Sequence, residues 1–114
     1  IFKKTNMPQM TQPACDPAYS AALFKALAHP ARLAILELLR NGEQCVCKLE
    51  EALGCRQAYV SQQLTVLRDA AIVSVRREGW RVYYRVTQPA VFVMLDLASH
   101  AGSQSIILEH SPLC

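Results

Sequence analysis

The segment QCVCK, residues 44–48, sets Cys45 and Cys47 one residue apart. An extended or half-turn backbone can bring both sulfurs to one ion. The pair falls where a short helix is expected to begin, and helix-start amides favour thiolates over thiols. Soft ions select such ligands. A disulfide between residues i and i+2 would be strained, so the pair reads as an ion-binding or reactive centre. Three further cysteines accompany it: Cys15, Cys55 and Cys114. Cys15 lies on a Pro-rich polar stretch from which it can reach Cys45 and Cys47, and it is the preferred third ligand. Cys55 is either a further ligand or a small thiol packing a turn. Cys114 reads as incidental or exposed to oxidation. An odd number of cysteines, with a polar start that lacks a long apolar core, argues against an exported disulfide scaffold. The expectation is reduced thiols in a cytoplasmic protein.

A second constellation runs from Arg56 to Val86. In QAYVSQQLTVLRDA, apolar residues recur at Val60, Leu64, Leu67 and Ala71, which is a helix period. The opposite face is assigned Gln57, Tyr59, Gln62, Gln63 and Thr65. After Ile72 the period becomes two, through Val73, Val75, Val82, Tyr84 and Val86. Four arginines, Arg76, Arg77, Arg81 and Arg85, surround a turn expected at Glu78-Gly79. A helix with a polar face beside a cationic hairpin suits duplex DNA. The residues expected to reach bases or phosphates are Arg56, Gln57, Tyr59, Ser61, Gln62, Gln63, Thr65 and Arg68 on the helix. Arg76, Arg77 and Arg81 are expected to do so from the hairpin.

The rest of the chain must position these two groups. At 114 residues and 52% hydrophobic content it can build one modest core and is not a disordered chain. No run approaches the roughly 18–20 apolar residues needed to span a bilayer. The net charge of +3 is modest, so its concentration in the hairpin matters more than its size. Residues 1–16 read as a flexible arm, 17–110 as the folded domain and 111–114 as a tail. Asp16-Pro17 can open a first helix through His29, packed through Tyr19, Leu23, Phe24 and Leu27. Pro30 opens a second, apolar helix that stops at Asn41-Gly42. Cys47–Leu53 is a short third helix ended by Gly54, and the fourth begins near Gln57. A last helix follows from Pro89 to about His100. The fold class is mainly α with a small β-hairpin wing, a winged helix-turn-helix. The first and last helices carry more apolar surface than one core needs, and are expected to form a homodimer.

The stretches ALAHPARLAIL at 26–36, VSQQLTVLRDAAIV at 60–73 and REGWRVYYRV at 77–86 resemble the ArsR/SmtB family of winged-helix repressors. The resemblance spans residues 24–86. It implies a cytoplasmic homodimer that binds double-stranded operator DNA and releases it when an inducer binds. The CVC resembles that of arsenic- and cadmium-sensing relatives, in which a third thiol would fall at Glu50. Cys15 then supplies the third sulfur, as N-terminal cysteines do in the cadmium- and lead-sensing type. Three thiolates suit trivalent arsenic, As(III), or antimony, Sb(III). Four soft ligands would suit Cd(II), Pb(II) or Zn(II) better. Some arsenic-sensing relatives also use a cysteine near Cys55. Zinc-sensing relatives carry a ligand set on the last helix. Here Asp96, His100, Glu109 and His110 are capable ligands, but Ala98 and Pro112 break the pattern. Persulfide-sensing relatives place a cysteine near Ile35 or Leu36, and neither position serves.

Two readings remain beside an inducer-responsive repressor. One keeps the DNA-binding dimer but gives it a thiol redox or persulfide input. The other is a winged-helix module for protein interaction. An enzyme is not expected: no GxSxG, HExxH or phosphate loop joins Ser61 or the histidines into a site, and no catalytic cofactor is implied.

Overall fold

A computed structural model describes residues 16–101 and 113–114. Five helices and three strands follow in the order α1 (Pro17–Leu27), α2 (Pro30–Leu38), β1 (Gln44–Cys45), α3 (Val46–Leu53), α4 (Gln57–Asp69), β2 (Val73–Glu78), β3 (Arg81–Val86) and α5 (Ala90–Ala101). The architecture is mainly α with a hairpin wing, a winged helix-turn-helix.

Local chemistry sets the breaks. Asp16 accepts from the Ala18 amide at 3.1 Å and caps α1. α1 ends at Leu27, two residues before the expected His29. His29 instead caps α2, its Nδ1 accepting from the Ala31 amide at 3.1 Å. Gly54 ends α3 in the left-handed conformation that a residue without Cβ adopts freely.

α4 ends in a Schellman motif. The Ile72 amide donates to Leu67 O at 3.0 Å and the Ala71 amide to Arg68 O at 2.8 Å. Ala71 therefore lies outside the helix, exposed, rather than on its apolar face, with φ of 61°. Its carbonyl is held by Thr87 Oγ1 at 3.1 Å and Gln88 Nε2 at 2.7 Å. An alanine in this region is strained where glycine is not. Ala71→Gly should raise stability by about 0.5–1 kcal/mol. A Tm unchanged or lowered would refute that reading.

The core gathers around α2 and α4. Ile35, Leu36, Val60, Leu64, Leu67, Ile72 and Val91 are fully buried, with Leu49 from α3 beside them. Tyr19 and Phe24, expected to pack within the chain, are more than half exposed, as are Val93 and Leu97 on α5. Arg40 joins α2 to α5: it bonds Asp96 at 2.9 Å, pairs with Glu37 at 2.9 Å, and lies 4.9 Å from the Phe92 ring centre.

The hairpin pairs Val73 with Val86 through Glu78 with Arg81. Its turn is therefore Gly79-Trp80, one residue beyond the expected Glu78-Gly79. Gly79 takes φ of 65°, the requirement at the first turn position of a type II′ hairpin. β1 adds a third strand, giving the order β1-β3-β2, with Gln44 opposite Tyr84 and Cys45 opposite Tyr83. Two residues carry too little alternation to be seen in the sequence.

Candidate thiol and nucleic-acid site

The β1 pairing places the cysteines. Cys45 is the last residue of the strand and the cap of α3, its sulfur accepting from the Cys47 amide at 3.3 Å. Cys45 is buried and Cys47 exposed, and both are free thiols. The Cys47 thiol hydrogen-bonds Cys45 and holds it below the ordinary cysteine range, with the Arg81 charge acting in the same direction. The same bond, together with burial, holds Cys47 above that range. The shared bond thus draws the two titrations apart, Cys45 downward and Cys47 upward. With the other three cysteines changed to Ser, thiolate absorbance should rise in two steps, one below and one above the ordinary range. Arg81→Ala should move the first step upward. A single step at the ordinary range would refute that separation.

A groove of about 310 Å³ opens beside the pair. Cys45, Cys47 and Glu50 line it from the start of α3, and Gln57 and Ser61 from the start of α4. Arg77, Trp80 and Arg81 close it from the wing, with Val82 and Tyr84 at its base. The thiol pair, the polar helix and the cationic hairpin, three separate readings of the sequence, meet in one place. Trp80 is 85% exposed, with the Arg81 guanidinium 5.1 Å from its ring centre. The strand register alone places it at the turn. Glu50 also lines the groove.

The other helix residues divide. Arg56, Gln57, Ser61, Gln62, Thr65 and Arg68 are exposed. Thr65 returns its hydroxyl to the Ser61 carbonyl at 2.9 Å. Arg56 gives α4 no side-chain cap, which leaves its first amides to solvent or an anion. Gln63 does not belong to this face. It is 6% exposed and its Oε1 accepts from Arg32 Nη1 at 2.8 Å. The helix turns Gln63 inward beside Val60 and Leu67, where a polar side chain needs a partner. Tyr59 is half-buried on a flank, its hydroxyl donating to Leu113 O at 2.9 Å and lying 3.4 Å from His29 Nε2.

The wing arginines also differ. Arg77 is exposed on the groove. Arg76 is committed elsewhere: it grips Glu43 through two bonds of 2.7 and 2.9 Å and Glu78 at 3.0 Å, 4.6 Å from the Tyr83 ring centre. It braces the wing against the residue before β1, whereas Arg77 has no such partner among the described residues. Its guanidinium holds the Glu43 carboxyl below the usual carboxylate range.

Cys55 requires a second correction. It forms a disulfide with Cys114, Cα to Cα 6.0 Å. A sulfur shared in a bond to another sulfur is not a thiolate ligand, so in this state Cys55 is not part of an ion site. Among the described residues, Cys45 and Cys47 are the free thiols. Among the described residues no group of three or more His, Cys, Asp or Glu is placed to hold a metal ion. Cys15, Glu109 and His110 lie outside the described residues. Asp96 is engaged by Arg40, and His100 lies exposed near the end of α5. No helix among the described residues is long and apolar enough to cross a membrane.

Residues 29–75 match the family model described as bacterial regulatory protein, arsR family. An uncharacterized HTH-type transcriptional regulator of Mycobacterium tuberculosis, Rv0081, is 41% identical over 86 residues, 73% of this chain and 75% of that protein. The chain belongs to the arsR family. That family is one of bacterial regulatory proteins. A biofilm growth-associated repressor of Agrobacterium fabrum is 50% identical over 68 residues, covering 60% of this chain. The match spans 58% of that repressor's length, less than two thirds. Among solved structures, the transcriptional repressor BigR from Xylella fastidiosa superposes with a TM-score of 0.70 at 34% identity, over 77% of this chain and 90% of that one. The arsR-family assignment accounts for the helix-turn-helix and the wing. It leaves the two free thiols in the groove to be explained by this chain's own residues.

Proposed function

We propose that the chain is a homodimeric repressor that binds operator DNA and releases it when As(III) or Sb(III) is captured by Cys45 and Cys47. The observation that carries this reading is the shared groove. An ion held by the two sulfurs sits against Gln57 and Ser61 of α4 and against Arg77 and Arg81 of the wing. Cys45 and Cys47 supply two sulfur donors, with Cys15 proposed as the third. Trivalent arsenic takes three sulfurs in a pyramid, and capture consumes the thiolate charge that Arg81 balances. The wing arginine and the start of α4 then shift together.

The dimer is formed by α1 and α5. Tyr19, Phe24, Val93 and Leu97 are exposed there, and Phe24, Leu27, Met94 and Leu95 line an apolar hollow. Two-fold pairing sets the two copies of α4 roughly 34–36 Å apart, one turn of duplex. A small change in that spacing loses simultaneous docking.

The test is anaerobic binding of reduced protein to duplex, titrated separately with arsenite, Cd(II), Pb(II), Zn(II) and a persulfide donor. Release by arsenite supports the reading. Release by Cd(II) or Pb(II) alone assigns a four-ligand site, and release by the persulfide alone assigns a redox input. Arg77→Ala should weaken binding to specific and random duplex alike and lower the slope of log affinity against log salt by about one. Gln57 and Gln62 substitutions should change sequence preference instead. Equal losses on both duplexes for the two Gln variants would contradict that division.

A further inference from the structure

α4 is gripped on two flanks, and only one of them is the groove. Gln57 and Ser61 face Cys45 and Cys47. Tyr59, about 200° around the helix from Gln57, faces the other way and bonds Leu113 O at 2.9 Å. The same segment is tied by Cys114 to Cys55, two residues before α4 begins. Arg56, the residue between, lines a hollow with Cys55, Tyr59 and Cys114. Residues 113–114 therefore lie along the first turn of α4, held by one covalent bond and one hydrogen bond. His29, the cap of α2, stands behind Tyr59 at 3.4 Å.

We propose that Cys55 and Cys114 form a reversible thiol–disulfide site that, when bridged, holds residues 113–114 against the first turn of α4 and lowers affinity for duplex DNA. This rests on the reading of α4 as the DNA-reading helix. A helix docked in the major groove presents its N-terminal residues to base edges, while phosphates run beside its first turn. Arg56 and the uncapped amides of α4 are the groups placed to meet them. A segment bonded one residue before Arg56 occupies that side. When the bridge is reduced, a single hydrogen bond from Tyr59 remains, and a competing phosphate can displace it.

The oxidant is a low-molecular-weight disulfide, RSSR. One cysteine thiolate attacks RSSR, forming a mixed disulfide and expelling one thiolate, RS⁻. The second cysteine thiolate attacks the protein sulfur of that mixed disulfide and expels the other RS⁻. Two protein thiols lose two electrons and two protons, and RSSR becomes two RSH. A dithiol reductant reverses the sequence. Cys114 is exposed and Cys55 half-buried, so both ends are within reach of small reagents. The site is separate from Cys45 and Cys47, which remain free thiols while it is bridged.

The full 114-residue chain is treated with glutathione disulfide or with a phosphine reductant. The bridge is mapped by mass spectrometry after alkylation of remaining thiols. Affinity is then measured on a duplex selected from a random pool by the reduced protein. The expected result is a Cys55–Cys114 bridge and an affinity about tenfold lower than in the reduced form. Cys114→Ser and Cys55→Ser should each abolish the difference. Equal affinity in the two states, with the bridge confirmed, would overturn the switch and leave the DNA-binding reading intact. Mapping that finds another pairing would overturn the site. A reduced protein that binds no duplex would overturn both.

Discussion

Replacing Cys45 or Cys47 by Ser will abolish the release of DNA by arsenite. In the unaltered protein, saturating arsenite should lower DNA affinity roughly 5–150-fold, the usual range of coupling between two sites. In either variant that ratio should fall to about one. A serine hydroxyl is a hard, protonated group and does not replace a thiolate on a soft ion. The fold should tolerate both changes. A serine at position 45 can still accept the Cys47 amide as a helix cap, and Cys47 is exposed. Loss of response without loss of DNA binding is thus the signature. Cys15→Ser should weaken the arsenite response if that residue is the third ligand. An arsenite response that survives in Cys45→Ser or Cys47→Ser would place the inducer elsewhere.

Arg32→Ala will destabilise the fold by about 2–3 kcal/mol, among the largest effects of any polar residue here. Arg32 donates to Ala26 O at 2.6 Å, to Lys25 O at 3.4 Å and to Gln63 at 2.8 Å. It therefore ties the end of α1 to α4 through the start of α2. Its removal strands a buried amide at Gln63 and the Ala26 carbonyl, while Lys25 O keeps the Ala28 amide at 3.3 Å. For a domain of this size the loss corresponds to a Tm lowered by about 10 °C. Protein concentration must be held constant, because the melting of a dimer depends on it. The double change Arg32→Met with Gln63→Leu should cost less than the two single changes together, since no polar group is then left alone. A Tm within a degree or two of the unaltered protein for Arg32→Ala would remove the network from the account of stability. Because α1 also carries exposed apolar residues, this arginine connects the proposed dimer face to the proposed reading helix.

The side chains whose partners the sequence does not announce share a cause. Gln63 looks like its neighbour Gln62 in type, but at 100° per residue it flanks the Val60–Leu67 face while Gln62 lies opposite. Its partner, 31 residues earlier, is what the sequence does not announce. The Arg32 guanidinium makes the inward position of Gln63 affordable. Arg76 looks like Arg77 in the same way, but Glu43 lies across the sheet from one and not the other. Tyr59 has the chemistry of a DNA contact and is turned toward Leu113 instead.

The periods of the sequence determined the helices, the hairpin and the face of each that is buried. Periodicity is a local property, set by 3.6 residues per turn or by alternation, and it survives in any arrangement of the elements. Local punctuation determined the caps at Asp16 and Gly54 and the helix start at Pro30 for the same reason. The CxC pair is legible as a candidate thiol site because two thiols one residue apart need nothing else to be near each other. Tertiary structure alone decided which groups share a groove, which polar side chains are satisfied inside, and which cysteines are bonded. Cys55 and Cys114 are 59 residues apart, and no local pattern ties them. β1 is two residues long and exists only because β3 is there to pair with it. Contacts between distant residues depend on how the elements pack, and packing is a property of the whole chain rather than of any window within it.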